Sequence, residues 1–234
     1  MSITITNSKV SYGPKSIVDG LVLYLDAANP DSYPGSGTIW YDLSESGYHM
    51  NSRNDVHTTW TAPGYWIFDG TTNNRQWYRD ALIGIQNNMT IEAWISPDTY
   101  VGDMILLNQG AFYHTYPNER MSNYWYGKTN PGYHYTTANS VTPNIWTHTC
   151  SVWDSSGSGD LLQYINGTLN FTHTGDANGT GNNGTGELEI GAEYSSANSR
   201  QFNGYIAIIK VYINALSGVE VLQNYNALKS RFGH

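Results

Sequence analysis

The sequence predicts an all-β fold, an antiparallel β-sandwich with one short C-terminal helix. Three observations carry the prediction. Short runs rich in β-branched and aromatic residues recur along the chain, separated by Gly, Asn, Pro and Ser. Asn166-Gly167 sits between two such runs, and that pair favours the positive φ angles of a type I′ hairpin turn. The stretch Phe202 to Ile213 then reads as a long strand buried between two sheets. It turns directly into a capped helix. Ser217 and Glu220 form a capping box, so the helix is expected to start at Gly218. Val219, Leu222, Tyr225 and Leu228 follow at helical spacing, and Gly233 stands beyond them as a stop.

Taken in order, residues 1–18 alternate apolar and polar at Ile3 and Ile5, which predicts a short strand or arm that packs on a neighbouring subunit. Leu21 to Asp26 is the first core strand, and Asn29 to Gly37 is a loop of turn-forming residues. Further strands are expected around Thr58, Tyr65, Thr90, Met104, Phe112, Ser122, Tyr133, Thr147, Leu161, Phe171 and Leu188. In the strand near Thr90, Ile91, Ala93 and Ile95 share one face, with Glu92 and Trp94 on the other. Trp66, Trp94 and Trp146 are expected in the core. There is no internal repeat, coiled coil or dividing linker, so residues 19–234 form one domain behind the arm.

The closing segment, FNGYIAIIKVYINALSGVEVLQNYNALKSRFG, resembles the last strand and helix of the laminin-G-like, concanavalin A-like jelly-roll superfamily. The opening DGLVLYLDAANPDSYPGSGTIWYDLSESG is similar to that family's first core strand and loop. FDG at Phe68, TIEAWISP at Thr90, IWTHTCSVWD at Ile145, YING at Tyr164 and LEIGA at Leu188 extend the likeness over nearly the whole chain. The resemblance implies a jelly roll. It does not choose a function, because such sandwiches host lectins, adhesins, hydrolases and structural modules. It also implies one structural calcium at the sandwich rim, near Asp42 of WYDLS and Asp69 of FDG, although both also read as turn-forming aspartates. The opening and closing segments look like laminin-G-like domains of tailed-phage virion proteins.

Composition removes several classes. Charged residues make up 13% of the chain, the net charge is −8, and the 11 Lys and Arg are scattered, so nucleic acid is not an expected partner. No apolar run is long enough to span a membrane. The N-terminus has neither the charged nor the apolar part of a secretory signal, so the protein is expected in a virion, or outside the cell after cytosolic assembly. Cys150 is the single cysteine and reads as a buried, inert thiol.

For chemistry, the loop from Asp176 to Glu187 places Asp176, Asn178 and Thr180 at positions 1, 3 and 5 of an EF-hand-like calcium loop, with Glu187 at position 12. Thr180 departs from the usual acid or amide, and the same residues also make an ordinary inter-strand loop. Glu187 and Glu189 share a strand face and resemble the catalytic strand of laminarinase-like hydrolases, but the middle acid is Glu and Glu193 falls too late. There is no Gly-x-Ser-x-Gly elbow, His148 and Cys150 merely share a strand face, and the histidines show no zinc-ligand spacing. Tyr124, Trp125 and Tyr133 are candidates for a sugar-stacking platform, although such aromatics also suit protein interfaces. Sequons at Asn88, Asn166, Asn170, Asn178 and Asn183 read as Asn-rich turns.

The resulting expectation is a non-enzymatic structural or display protein of a virus particle, a capsid decoration or tail-associated subunit attaching to host-surface or other glycans. A calcium-assisted carbohydrate-binding module or adhesin is the alternative, and a glycoside hydrolase comes third. Partners are other virion subunits or the protein itself, with cell-surface glycans. The only cofactor expected is one structural Ca2+.

Overall fold

A computed structural model describes residues 15–52, 58–70, 77–79, 83, 87–98, 104–109, 111–116, 119–125, 132–177, 187–192 and 200–234. Its strands are β1 (Leu21–Asp26), β2 (Ile39–Trp40), β3 (Met50–Ser52), β4 (Thr58–Thr61), β5 (Tyr65–Asp69), β6 (Trp77–Arg79), β7 (Met89–Pro97) and β8 (Met104–Asn108). They continue as β9 (Ala111–Tyr116), β10 (Arg120–Trp125), β11 (His134–Tyr135), β12 (Thr147–Asp154), β13 (Asp160–Ile165), β14 (Thr168–His173), β15 (Leu188–Ile190) and β16 (Asn203–Tyr212). Helix α1 (Gly218–Leu228) and a 3-10 turn over Lys229–Phe232 close the chain.

The strands form two antiparallel sheets. The back sheet runs β14-β13-β12-β7-β16-β5-β4, with β1 also beside β16. The front sheet runs β11-β10-β9-β8-β15-β6-β3-β2. Strand β16 is the spine of the back sheet. One of its edges pairs with β7, while the other takes β5 at Asn203–Ile206 and then β1 at Ile208–Tyr212. The concanavalin A-like sandwich expected from sequence is the fold observed.

Period-two alternation builds the core. Leu23 and Leu25 of β1, Ile91, Ala93 and Ile95 of β7, and Ile209 and Val211 of β16 meet Trp77, Met104, Met121 and Ile190 of the front sheet. Tyr33, Trp40, Trp66 and Trp77 form an aromatic knot, with Trp66 and Trp77 centroids 4.6 Å apart. Truncating one of these buried tryptophans to Ala would cost about 3–5 kcal/mol.

One expectation about β16 needs correction. The strand is not buried between two sheets, because α1 and the 3-10 turn cover its outer face. Trp94, Ala207 and Ile208 pack there against Tyr225, Leu228 and Phe232, with Trp94 stacked on Phe232 at 4.1 Å. The capping box at Ser217 and Glu220 is present, and Gly233 ends the 3-10 turn at φ 82°. Half of the stripe that the spacing predicts, Tyr225 and Leu228, packs on this face, and the other half does not. Val221 and Asn224 are buried, whereas Val219 is 77% exposed and Leu222 45% exposed. A polar Asn on the packed face shifts the stripe toward Val221.

Asn224 is there because of charge beneath the helix. Glu92 Oε1 lies 2.9 Å from Lys210 Nζ, and both residues are buried. Asn224 Nδ2 donates to Glu92 Oε2 and to the Tyr212 hydroxyl, while Asn224 Oδ1 accepts from the Ile17 amide at 2.7 Å. Burial pushes the Glu92 carboxyl up, but Lys210 and His148 outweigh it and bring the pKa down to about 2. Cys150 is buried on the same face, and burial, reinforced by Glu92, raises its thiol well above the ordinary range. The inert thiol expected from sequence fits this setting. Residues 1–14 of the predicted arm lie outside the described residues. Its end, at Lys15 and Ile17, is fastened to α1, where Gln223 Nε2 donates to Lys15 O at 2.7 Å.

Candidate functional site

The outer face of the front sheet bears no helix among the described residues, and its side chains form a row running across the strands. Asn51 of β3 stands opposite Tyr78 of β6, Tyr78 opposite Glu189 of β15, and Glu189 opposite Asn108 of β8. The register continues through position 112 of β9 to Tyr124 of β10. Their strand neighbours Met50, Trp77, Leu188, Ile190 and Met121 belong to the core, so Asn51, Tyr78, Glu189 and Tyr124 lie on the outer side of the sheet, where Glu189 is nonetheless buried. Asn108 Nδ2 donates to Glu189 Oε2 at 3.0 Å.

At the β10–β11 end the row becomes aromatic. The Tyr124 and Tyr133 rings lie 5.0 Å apart at 55°, and Tyr135 is 6.3 Å from Tyr133. The Arg120 guanidinium sits 4.3 Å over the Tyr135 ring, and Arg200 Nη2 donates to the Tyr133 hydroxyl at 3.5 Å. Tyr133 is 38% exposed. Of the predicted platform, Tyr124 and Tyr133 therefore meet. The side chain of Trp125 lies outside what is described. Arg120, Asn108 and Tyr135 complete the surface, and only strand register brings them to it. Tilted tyrosines beside an arginine and the Asn108 amide offer apolar faces and directional hydrogen bonds together.

Of the residues expected to hold calcium, Asp42, Asp69, Asp176 and Glu187 lie among the described residues. Asp42, between β2 and β3, accepts hydrogen bonds from Tyr24 N and Ser44 N on Oδ1, and from Ser44 Oγ and Tyr48 N on Oδ2. Both its oxygens are engaged in shaping that loop. Asp69 ends β5 in the back sheet, opposite Asn203, and is exposed. Glu187 directly precedes β15, and Asn178 lies outside the described residues. Asp176 is buried beyond the end of β14. Its Oδ2 lies 2.9 Å from His134 Nδ1 and 3.9 Å from His173 Nδ1. Sequence spacing predicts no histidine cluster. The fold creates one, because His134 on β11 and His173 on β14 occupy neighbouring edges of the two sheets.

The profile of the concanavalin A-like lectin/glucanases superfamily matches residues 69–222. The chain belongs to this superfamily. No curated protein sequence matches it. Among solved structures, a Trypanosoma rangeli sialidase in complex with 2-keto-3-deoxy-D-glycero-D-galacto-2,3-difluoro-nononic acid is 15% identical, with TM-score 0.64 over 92% of this chain and 33% of the sialidase. The binding domain of Paraclostridial Mosquitocidal Protein 1 is 18% identical, with TM-score 0.64 over 88% of this chain and 52% of that one. The binding domain of botulinum neurotoxin DC in complex with SialylT is 14% identical, with TM-score 0.61 over 91% of this chain and 52% of that one. These likenesses are of fold, and this superfamily member spans between a third and about half of those chains. No helix among its described residues is long and apolar enough to cross a membrane.

Proposed function

We propose that the domain binds glycans through the outer face of the front sheet, without acting on them chemically. The observation that carries this is the pairing of Tyr124 with Tyr133, flanked by Arg120 on Tyr135 and by the Asn108–Glu189 hydrogen bond. A sugar ring offers one apolar face for stacking and a rim of hydroxyls, and this surface supplies a partner for each. The complexes named in two structural neighbours, a sugar acid on a sialidase and SialylT on a neurotoxin binding domain, support a sugar as the ligand class. Hydrolysis requires two carboxylates set across the scissile bond. On this surface Glu189 Oε2 is engaged by Asn108, and Glu187 stands before the strand begins. Display on a virus particle is compatible with this role and rests on the sequence resemblance of the opening and closing segments.

The test is thermal unfolding of the purified protein across a panel of host-surface polysaccharides and sialylated oligosaccharides, with product analysis of the same mixtures. A ligand specific to the folded state raises the melting temperature. That rise is expected to shrink in Tyr124→Ala and in Tyr133→Ala, with every oligosaccharide recovered intact. An unchanged rise in both variants would place binding elsewhere, and released sugar would make the domain an enzyme.

A further inference from the structure

We infer that His134, His173 and Asp176 form a binding site for a divalent transition ion of the zinc class, clasping the open edges of the two sheets. The ligand atoms of these three residues all lie within 4.8 Å of one another. Zinc sits about 2.0–2.2 Å from imidazole nitrogen and carboxylate oxygen, so tetrahedral ligands lie about 3.3 Å apart. The separations of 2.9 Å and 3.9 Å from Asp176 Oδ2 bracket that value.

A plain ion pair of Asp176 with His134 would explain the shorter distance. It does not explain His173. The Nε2 of His173 lies 3.1 Å from the Tyr135 carbonyl oxygen and 3.0 Å from Gln163 Oε1. A main-chain carbonyl only accepts, so Nε2 carries the proton. The orientation of the Gln163 amide is fixed as well, because its Nε2 donates to the His134 carbonyl and to Asn123 Oδ1, which also accepts from Ser151 Oγ. In the neutral ring, Nδ1 is then a lone pair facing a carboxylate oxygen at 3.9 Å, an arrangement that favours a cation between the two. A backbone carbonyl and an amide holding the distal N–H is the outer shell that orients metal-binding histidines. Two imidazoles with one carboxylate select zinc-like ions over calcium, which takes oxygen ligands. The site thus assigns Asp176 to a different ion and different partners from an EF-hand-like loop.

The experiment uses the tag-free full chain, stripped with chelator and titrated with Zn2+ and with Co2+. One equivalent is expected to bind, with Co2+ d–d absorption, a rise in melting temperature, and no displacement by millimolar Ca2+. His173→Gln and Asp176→Asn should abolish the spectrum, His234→Gln at the exposed C-terminus should leave it intact, and Gln163→Met should weaken binding about 10–100-fold through loss of its outer-shell contact. Nitrogen-15 spectra of the wild-type histidine rings need no variant, and Zn2+ should move the Nδ1 resonances of His134 and His173. Absence of stoichiometric binding, survival of the Co2+ spectrum in His173→Gln, or shifts confined to other histidines would each overturn the site.

Discussion

The two outer faces of this sandwich carry similar residues and use them in opposite ways. On the back sheet, Glu92, His148, Lys210 and Tyr212 alternate with core residues, as surface positions do, yet α1 seals them from water. Their charges pair with each other and with Asn224, and the result is mechanical. On the front sheet, Asn51, Tyr78, Asn108, Tyr124 and Tyr135 occupy equivalent alternating positions with no helix among the described residues above them, although Glu189 in the same row is buried. What makes the back face structural is thus the covering helix, not the polar pattern of the strands.

The strongest way to break this contrast is Lys210→Met. It leaves the Glu92 carboxylate buried without its cation, an expected loss of about 3–5 kcal/mol seen as a lower urea midpoint. The same pair sets an acid limb. Because the folded pKa of Glu92 is depressed from 4.5 to about 2, its stabilisation is present above pH 4.5 and lost as pH falls toward 2. Urea midpoints measured across that window should fall in the wild type, and Lys210→Met should lack this component. Asn224→Leu is next, at about 1–3 kcal/mol, since it strands Glu92 Oε2 and the Ile17 amide. Ser217→Ala removes the helix cap and should cost about 1 kcal/mol by the same unfolding measurement. Tyr124→Ala and Tyr133→Ala sharpen the other side of the contrast. Stability should change by less than about 0.5 kcal/mol, while loss of one stacking ring should weaken glycan binding about tenfold in a calorimetric titration.

Much of the fold was legible from residues alone. Leu21 to Asp26, the Asn166-Gly167 turn with φ of 49° and 74°, and the cap at Ser217 all fall where local chemistry puts them. Strands β2, β3 and β6 were not legible, even with Trp40, Met50 and Trp77 buried in them, whereas β11 and β15, equally short, were marked by the Tyr133–Tyr135 aromatics and the LEIGA segment. The site was legible by residue type and not by assembly. Tyr124 and Tyr133 stand out as aromatics, but their pairing depends on β10 meeting β11, and the Asn108–Glu189 contact on β8 meeting β15. His134 and His173 carry no spacing signal at all, since their proximity exists only once the edges of two sheets face each other.

The fastening of Lys15 and Ile17 to α1 has a consequence for presentation. Lys15 is held by Gln223, and at the other end His234 Nε2 lies 2.8 Å from the Trp146 carbonyl oxygen, so both ends of the described fold sit on the helix side. A tether at the C-terminus would attach behind the domain and leave the tyrosine row pointing away from its support. Copies mounted side by side on such a support would all present the same face outward. Many weak contacts would then act at once, and avidity would raise the effective grip on a glycan-coated surface far above that of one domain.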